Sequence, residues 1–149
     1  MLNLGFGGST LVSCRTYFNR IVLPYNPDTI VFYAGDNDIG SGTSADELLN
    51  EFLLFSSEVA EKIPHTRCFF ISIKPSVFRS EYLDIILDFN KKVKNSIDHL
   101  NQWKYIDLCS PMLETGYEKF YGEDPLHMNI LGYSLLSKLI RDELDIFLN

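Results

Sequence analysis

Hydrophobic and polar positions along this chain follow two alternating patterns, which predict short strands and longer amphipathic helices. Apolar, partly β-branched runs predict four strands, at Leu2–Phe6, Thr29–Ala34, Arg67–Ile73 and Lys104–Leu108. Apolar residues at helical spacing predict four helices, at Thr10–Val22, Ser44–Ile63, Glu81–Leu100 and Asn129–Leu148. Strands that alternate with helices are typical of a parallel sheet covered by helices, so the pattern predicts an α/β fold.

Two predicted elements carry particular expectations. Thr29–Ala34 is nearly apolar throughout, which predicts a central strand buried on both faces. Ser44 and Glu47 have the spacing of a capping box at the start of the second helix, and Pro64 marks its end. No repeat or linker divides the sequence, so we expect a single domain over residues 1–149.

Irregular segments follow the predicted strands, and they are the first candidates for a functional site. Ligand sites in open α/β sheets lie at the carboxyl ends of the strands. We therefore expect four loops to converge on one edge of the sheet. These loops are Gly5–Ser9, Gly35–Thr43, Lys74–Ser80 and Ser110–Leu126.

Composition and charge exclude several classes of partner. Of the 149 residues, 46% are hydrophobic and 22% are charged, which is ordinary for a globular protein. The net charge is −7, and the only basic cluster is Lys91, Lys92 and Lys94, which we expect on a solvated helix face. This distribution argues against nucleic acid and anionic membrane surfaces as partners. No apolar run reaches the length of a membrane span.

The three cysteines favour a reducing compartment, with the cytoplasm as the expected location. Cys14, Cys68 and Cys109 are odd in number and widely spaced, so a disulfide framework is not expected. Cys68 and Cys109 adjoin apolar runs, which predicts small core residues. The sequence near Met1 has no signal-peptide core, although a signal ahead of Met1 would change the expected location.

The segment Asp124-Pro125-Leu126-His127 offers the strongest candidate chemistry. A carboxylate three residues before an imidazole can fix its tautomer and stabilise its protonated form. A histidine held in this way can act as a general base toward a hydroxyl nucleophile. Taken alone, the same spacing is equally typical of a surface ion pair.

Two glycine-containing turns offer further candidates. Gly8 follows a predicted strand, and a turn without side chains can aim a backbone N–H at a substrate oxygen, although a purely structural turn has the same sequence. The dinucleotide-binding fingerprint is not expected there, because Thr10 stands where a third small residue is required. Asn37, in the turn after the second predicted strand, could donate to a developing oxyanion or could simply cap its own turn.

Metal binding is not expected from the sequence. The acidic segment that begins at Asp36 matches several positions of a calcium loop, but Gly40 and Ser41 occupy positions that require a ligand and a glycine. His65 and His99 have no clustered cysteine or carboxylate, so both are predicted to be surface residues.

Three segments together resemble the SGNH (GDSL) hydrolases. Asn3–Ser9, Ala34–Ile39 and Asp124–Asn129 are similar to blocks two, three and five of that family, in the same order and with similar separations. The segment Ser72–Ser76 resembles a bacterial subgroup akin to platelet-activating-factor acetylhydrolase and lysophospholipase-like esterases. The resemblance covers essentially the whole chain. It implies a three-layer α/β/α fold with a flavodoxin-like parallel sheet that lacks its usual first strand.

The resemblance also assigns roles to four residues. His127 would be the general base, with Asp124 as its orienting carboxylate. Gly8 would supply a backbone N–H and Asn37 a side-chain N–H to the oxyanion hole. The implied substrates are small carboxylic esters, commonly of acetyl or short acyl groups. No metal or organic cofactor is implied.

The nucleophilic serine of these hydrolases has no counterpart that the sequence identifies. The family carries it in a block well ahead of the position of Gly8, and only seven residues precede Gly8 here. Ser9 comes nearest, but we expect its hydroxyl to cap the following helix. A misplaced gene start, a natural truncation and a deliberate fragment would each explain the gap, and the sequence leaves all three open.

Two functions therefore remain. The first is a serine esterase of the SGNH type in truncated form, and the alternative is an inactive remnant that binds a ligand or oligomerises. In the family's sheet the missing strand would lie between Leu2–Phe6 and Thr29–Ala34. An open apolar edge is a template for another chain, so we expect a homo-oligomer joined there.

Overall fold

A computed structural model describes residues 2–148 of the chain, with side chains through Ile146. Met1 and Asn149, the two ends of the predicted domain, lie outside the described residues. The strands are β1 (Thr29–Phe32), β2 (Arg67–Ile71) and β3 (Trp103–Ile106). The α-helices are α1 (Leu11–Ile21), α2 (Asp36–Gly40), α3 (Ala45–Lys62), α4 (Leu83–Ile97), α5 (Cys109–Glu114) and α6 (Ile130–Leu148). Short 3₁₀ turns cover Leu23–Tyr25, Ser80–Tyr82 and Tyr117–Phe120.

The strands form one parallel sheet in the order β1-β2-β3. Phe32 pairs with Phe70 across the first ladder, and Phe70 pairs with Tyr105 across the second. Three of the four predicted strands are therefore confirmed, each slightly shorter than expected. Among the described residues, no helix is both long and apolar enough to cross a membrane.

The predicted strand Leu2–Phe6 is wrong. Residues 2–6 have no regular secondary structure and are mostly exposed. The side-chain oxygen of Asn3 accepts a hydrogen bond from the backbone N–H of Gly5 at 3.0 Å. Such a local bond competes with pairing to a neighbouring strand, and Gly5 adds an entropic cost to an extended conformation.

β1 is an edge strand, so the prediction of a central strand buried on both faces is also wrong. Val31 is 39% exposed, and Thr29 is exposed too. Only Phe32 within the strand is buried, where it stacks on Phe55 of α3 with ring centroids 4.8 Å apart. High hydrophobicity predicted a strand here correctly, but it did not determine how many neighbours the strand has.

Helices cover both faces of the sheet, which confirms the three-layer α/β/α arrangement. Side chains of successive strand residues point to opposite faces. On β2, Cys68 and Phe70 belong to a core formed with α1, α3 and α4, whereas Phe69 and Ile71 belong to a second core formed with α5 and α6. Phe52 of α3 lies at the centre of the first core. Its ring centroid is 5.0 Å from that of Trp103 and 5.1 Å from that of Phe70.

The four predicted helices are confirmed as α1, α3, α4 and α6. Ser44 and Glu47 form the predicted capping box at the start of α3. At α1 the cap is Thr10, whose side chain accepts from the backbone N–H of Ser13, so the prediction that Ser9 is the cap is wrong. The short helices α2 and α5 follow β1 and β3, at the end of the sheet where the candidate site lies.

Candidate functional site

The loops at the carboxyl ends of the strands contact one another, as expected. The Asn37 side chain after β1 bonds to the backbone of Ser9, 28 positions earlier in the chain. The Lys74 side chain after β2 reaches the Leu126 carbonyl oxygen at 2.9 Å. The backbone N–H of Phe78 donates to the Pro125 carbonyl oxygen at 3.0 Å. The segment that holds Gly8 is thus bonded directly to Asn37. The loop after β2 joins the segment of Asn37 to that of His127.

His127 and Asp124 form a hydrogen-bonded dyad. The Nδ1 atom of His127 lies 2.7 Å from Oδ2 of Asp124. The other carboxylate oxygen accepts backbone N–H bonds from Leu126 at 2.8 Å and from His127 at 3.1 Å. These bonds hold the aspartate in a tight turn, and its carboxylate favours the imidazole tautomer that carries the proton on Nδ1. Nε2 is then the basic nitrogen.

The dyad is open to solvent. The side chains of His127 and Asp124 are 69% and 56% exposed. The pKa of Asp124 is lowered to about 2, first by the two backbone N–H bonds and then by the imidazole. The carboxylate is therefore charged throughout the pH range in which a histidine titrates. Among the described residues, Nε2 of His127 has no hydrogen-bond partner.

Asn37 lies in the first turn of α2 with both ends of its amide engaged. Its Nδ2 donates to the Ser9 carbonyl oxygen at 3.0 Å, and its Oδ1 accepts from Nη2 of Arg79 at 3.1 Å. The turn that leads into it requires Gly35, whose φ is +112°. A Cβ on Gly35 would also lie 2.8 Å from a side-chain carbon of Ile73. Because an amide nitrogen carries two hydrogens, one N–H of Asn37 is left for a ligand.

Gly8 has a positive φ, in the region of backbone conformation that favours glycine. Its φ is +69°, and a Cβ added there would meet no atom within 4 Å, so the backbone rather than crowding favours glycine. Among the described residues, the Gly8 N–H has no intramolecular acceptor. The following residue, Ser9, is the one whose carbonyl accepts from Asn37. The backbone next to Gly8 is thus tied directly to the other proposed oxyanion donor.

A buried ionic network supports these residues, and the sequence analysis missed it. Asp36 accepts from Nζ of Lys74 at 3.1 Å, from Nη1 of Arg79, and from the Tyr33 hydroxyl at 3.3 Å. The side chains of Asp36, Lys74 and Arg79 are only 13%, 8% and 9% exposed. Burial lowers the pKa of Lys74, and the Asp36 carboxylate opposes that shift. The only available signal was that Lys74 belongs to the Ser72–Ser76 segment.

Other candidate groups lie outside this site. Burial raises the pKa of the Cys14 and Cys109 thiols to about 11 and that of Cys68 to about 12. None of these thiols is a nucleophile near neutral pH. His65 and His99 are exposed, as predicted. Within residues 2–148, no three histidine, cysteine or acidic side chains are arranged to hold a metal ion.

A groove of about 430 Å³ lies beside the site rather than in it. It is bordered by α1 and the start of α3, and its acidic lining includes Asp38, Glu47 and Glu51. Asp38 is buried and accepts from the Leu11 N–H at the start of α1. Burial raises the pKa of the Asp38 carboxyl. We assign this groove no role in the chemistry of the dyad, since His127 does not line it.

A family model provides the clearest comparison with known proteins. The model described as the GDSL-like lipase/acylhydrolase family matches residues 1–135. That range includes all four residues predicted for the site. No match is found among curated proteins.

Solved structures with similar folds include proteins described as lipases, acylhydrolases and esterases. A candidate platelet activating factor from Streptococcus pneumonia is 25% identical, with a TM-score of 0.82 over 96% of this chain and 72% of that one. A lipase/acylhydrolase from Enterococcus faecalis is 22% identical, with a TM-score of 0.78 over 92% and 71%. An acetylxylan esterase from Geobacillus stearothermophilus is 16% identical, with a TM-score of 0.80 over 95% and 70%. This chain covers only 66% of the length of a further similar structure, a candidate GDSL-like lipase from Parabacteroides merdae.

Proposed function

The chain belongs to the GDSL-like lipase/acylhydrolase family, and from that premise we propose that its site serves the hydrolysis of carboxylic esters. In this proposal His127 is the general base, Asp124 orients it, and Gly8 and Asn37 donate to the oxyanion. The observation that carries the proposal is the 2.7 Å contact between Nδ1 of His127 and Asp124, because it leaves Nε2 exposed and basic.

The proposed reaction is an acyl transfer that uses proton movements at one imidazole. Nε2 of His127 accepts the proton of an attacking hydroxyl group or water molecule, and the attacking oxygen bonds to the ester carbonyl carbon. The negative charge that develops on the carbonyl oxygen is stabilised by the N–H groups of Gly8 and Asn37. The protonated imidazole then donates its proton to the departing alcohol. These steps require no metal or organic cofactor.

We propose acetyl or other short acyl esters as substrates. The His127 side chain is 69% exposed at the surface. Phe78 is 63% exposed and is tied to the His127 loop through Pro125, so it can cover a small apolar group. An acetyl ester is also the substrate that its description gives for the similar acetylxylan esterase, whose fold this chain shares.

The lack of an identified nucleophile limits the activity that we expect from these 149 residues. The segment that carries the serine in the resembled hydrolases is not identified in this sequence, and among the described residues no hydroxyl is bonded to His127. A positioned general base that activates water can still accelerate hydrolysis, typically by about 10²–10⁴-fold. We therefore propose slow turnover by these 149 residues, with a water molecule attacking the ester directly.

Hydrolysis of p-nitrophenyl acetate tests this proposal. We expect the wild-type chain to show slow release of p-nitrophenol without an initial burst, and no acylated serine by mass spectrometry. His127→Ala should reduce the rate to the background, whereas His99→Ala, a matched change at another exposed histidine, should leave it unchanged. A burst with a covalent acyl-serine would contradict the absence of a nucleophile. A wild-type rate in His127→Ala would contradict the assignment of the base.

A second candidate function is supported by the open edge of the sheet. β1 pairs only with β2 among the described strands, and Val31 is 39% exposed on it. Unpaired backbone groups on such an edge can pair with another chain. We propose that a second copy of the chain pairs with this edge of β1. The resulting oligomer would serve as an inactive binding module. Size-exclusion chromatography with light scattering should give a dimer or larger, and a clean monomer at micromolar concentration would refute it.

We propose a cellular location for the protein from the state of its three cysteine thiols. Cys14, Cys68 and Cys109 are all free, which suits a reducing compartment such as the cytoplasm.

A further inference from the structure

The ionic network around Asp36 has two arms, and each ends on a different part of the site. Lys74 donates to Asp36 and also to the Leu126 carbonyl oxygen, one residue before His127. Arg79 donates to Asp36 and also to the Asn37 side-chain oxygen. One buried carboxylate therefore holds two cations. Each cation donates a further hydrogen bond, Lys74 to Leu126 beside His127 and Arg79 to Asn37 itself.

The Arg79 arm determines which way the Asn37 amide faces. Arg79 has only donors, so it requires the amide oxygen on its side. The Ser9 carbonyl accepts on the opposite side, so it requires the amide nitrogen there. A flipped amide would place Nδ2 against the guanidinium and Oδ1 against the carbonyl. Both ends therefore favour the orientation that presents the amide N–H groups on the side of Ser9.

The same contact also strengthens Asn37 as a donor. A guanidinium on Oδ1 draws electron density away from the amide nitrogen, and hydrogen bonds in a chain polarise one another. The effect is larger at low local dielectric, and the Arg79 side chain is only 9% exposed. An amide polarised in this way donates more strongly to a negatively charged oxygen than to a neutral one.

Gly40 provides independent evidence that the chain makes room for this guanidinium. A Cβ at Gly40 would lie 2.7 Å from Nε of Arg79 and 2.9 Å from its Nη2. Gly40 ends the short helix α2, and its backbone does not require glycine, since its φ is not among the positive values. A side chain at position 40 would therefore have to displace the Arg79 guanidinium. The guanidinium lies across α2, with Asp36 and Asn37 in the first turn as its partners.

We propose that Arg79 is a positioning residue, which acts through the amide of Asn37 and is itself held by Asp36 in the space that Gly40 leaves. This inference rests on the proposed role of Asn37 as an oxyanion donor. Arg79 touches no reacting atom. It fixes the orientation of the Asn37 amide and polarises its N–H groups before a substrate binds.

The test is the NMR signal of the Asn37 side-chain amide in the full chain, assigned by comparison with Asn37→Asp. Two variants disturb Arg79 in different ways. Arg79→Met removes the guanidinium, while Lys74 remains to pair with Asp36. Gly40→Ala keeps the guanidinium but displaces it. Gly122→Ala is the matched control, because a Cβ there meets nothing within 4 Å.

We expect the Asn37 amide signals to shift in Arg79→Met and in Gly40→Ala, and its N–H groups to exchange with water roughly tenfold faster, as loss of a charge-assisted hydrogen bond requires. Gly122→Ala should match the wild type. Unchanged Asn37 signals in folded Gly40→Ala would overturn the inference, even if Arg79→Met failed to fold. If the amide responds but the wild-type chain hydrolyses no ester, the proposed function fails while the positioning by Arg79 stands.

Discussion

The ionic network around Asp36 and the dyad of His127 and Asp124 place charges in opposite surroundings. Side chains of the network are between 8% and 13% exposed, whereas those of the dyad are 69% and 56% exposed. Charges withdrawn from water are stable only when they are paired, so the network fixes structure. Water screens the dyad, which therefore adds little to stability but keeps Nε2 of His127 accessible. Under the proposed function, stability and chemistry are thus divided between two neighbouring groups.

The largest effect that this comparison predicts is on stability. Asp36→Ala would leave Lys74 and Arg79 as buried, uncompensated cations, and we expect the free energy of unfolding to fall by about 3–5 kcal/mol. Urea denaturation measures this change. Asp124→Ala, the same substitution in the exposed dyad, should lower the urea midpoint far less. Similar losses in the two variants would contradict the division between the network and the dyad.

The next effect is on turnover. In a form of the protein that turns over p-nitrophenyl acetate, Asn37→Ala should lower kcat by about 10²–10³ with a smaller change in KM, because its donor acts on charge present mainly in the transition state. Steady-state kinetics measures both constants. A rise in KM at constant kcat would instead show that Asn37 binds the substrate and the transition state equally.

A smaller effect is expected at Asp124. Asp124→Asn disturbs the imidazole tautomer but leaves the exposed ring in place, so kcat should fall by no more than roughly tenfold, since a solvent-exposed ion pair stabilises its partners weakly. The same assay measures it, with His127→Ala as the reference for complete loss of the base. A fall as large as in His127→Ala would show that the dyad acts as one unit.

The smallest effect is the contribution of Asp124 to stability against pH. Its folded-state pKa of about 2 lies below the ordinary value of 3.8. Its stabilising contribution is therefore complete above the ordinary value and is lost as the pH falls toward 2. The difference in urea midpoint between the wild type and Asp124→Asn should be constant above about pH 5 and should shrink between about pH 4 and pH 2. A difference in urea midpoint that grows as the pH falls would contradict this prediction.

Local patterns in the sequence predicted the elements and the dyad, because both depend on neighbours along the chain. The capping box at Ser44 and the contact between Asp124 and His127 each span three positions. Long-range relations were not predictable in the same way. The bonds from Asp36 to Lys74 and Arg79 span 38 and 43 positions, and a lone lysine or arginine in a loop carries no mark of burial.

The two wrong predictions about strands have a related physical cause. Leu2–Phe6 has an apolar composition typical of a strand, but a strand also needs a partner that satisfies its backbone groups. Thr29–Ala34 was expected at the centre of the sheet for its hydrophobicity, yet Val31 is exposed at an edge. Hydrophobicity therefore predicted the type of element, and the number of available neighbours determined its place.

The most direct test of the account measures ester hydrolysis and thermal unfolding side by side in His127→Ala and Lys74→Met. The first changes the exposed dyad, and the second removes the buried arm that reaches Leu126. We predict that His127→Ala loses the enzyme-dependent hydrolysis of p-nitrophenyl acetate at an unchanged Tm, whereas Lys74→Met lowers the Tm and reduces hydrolysis only in part. Hydrolysis that persists in His127→Ala, or a Tm that falls equally in both variants, would contradict the account.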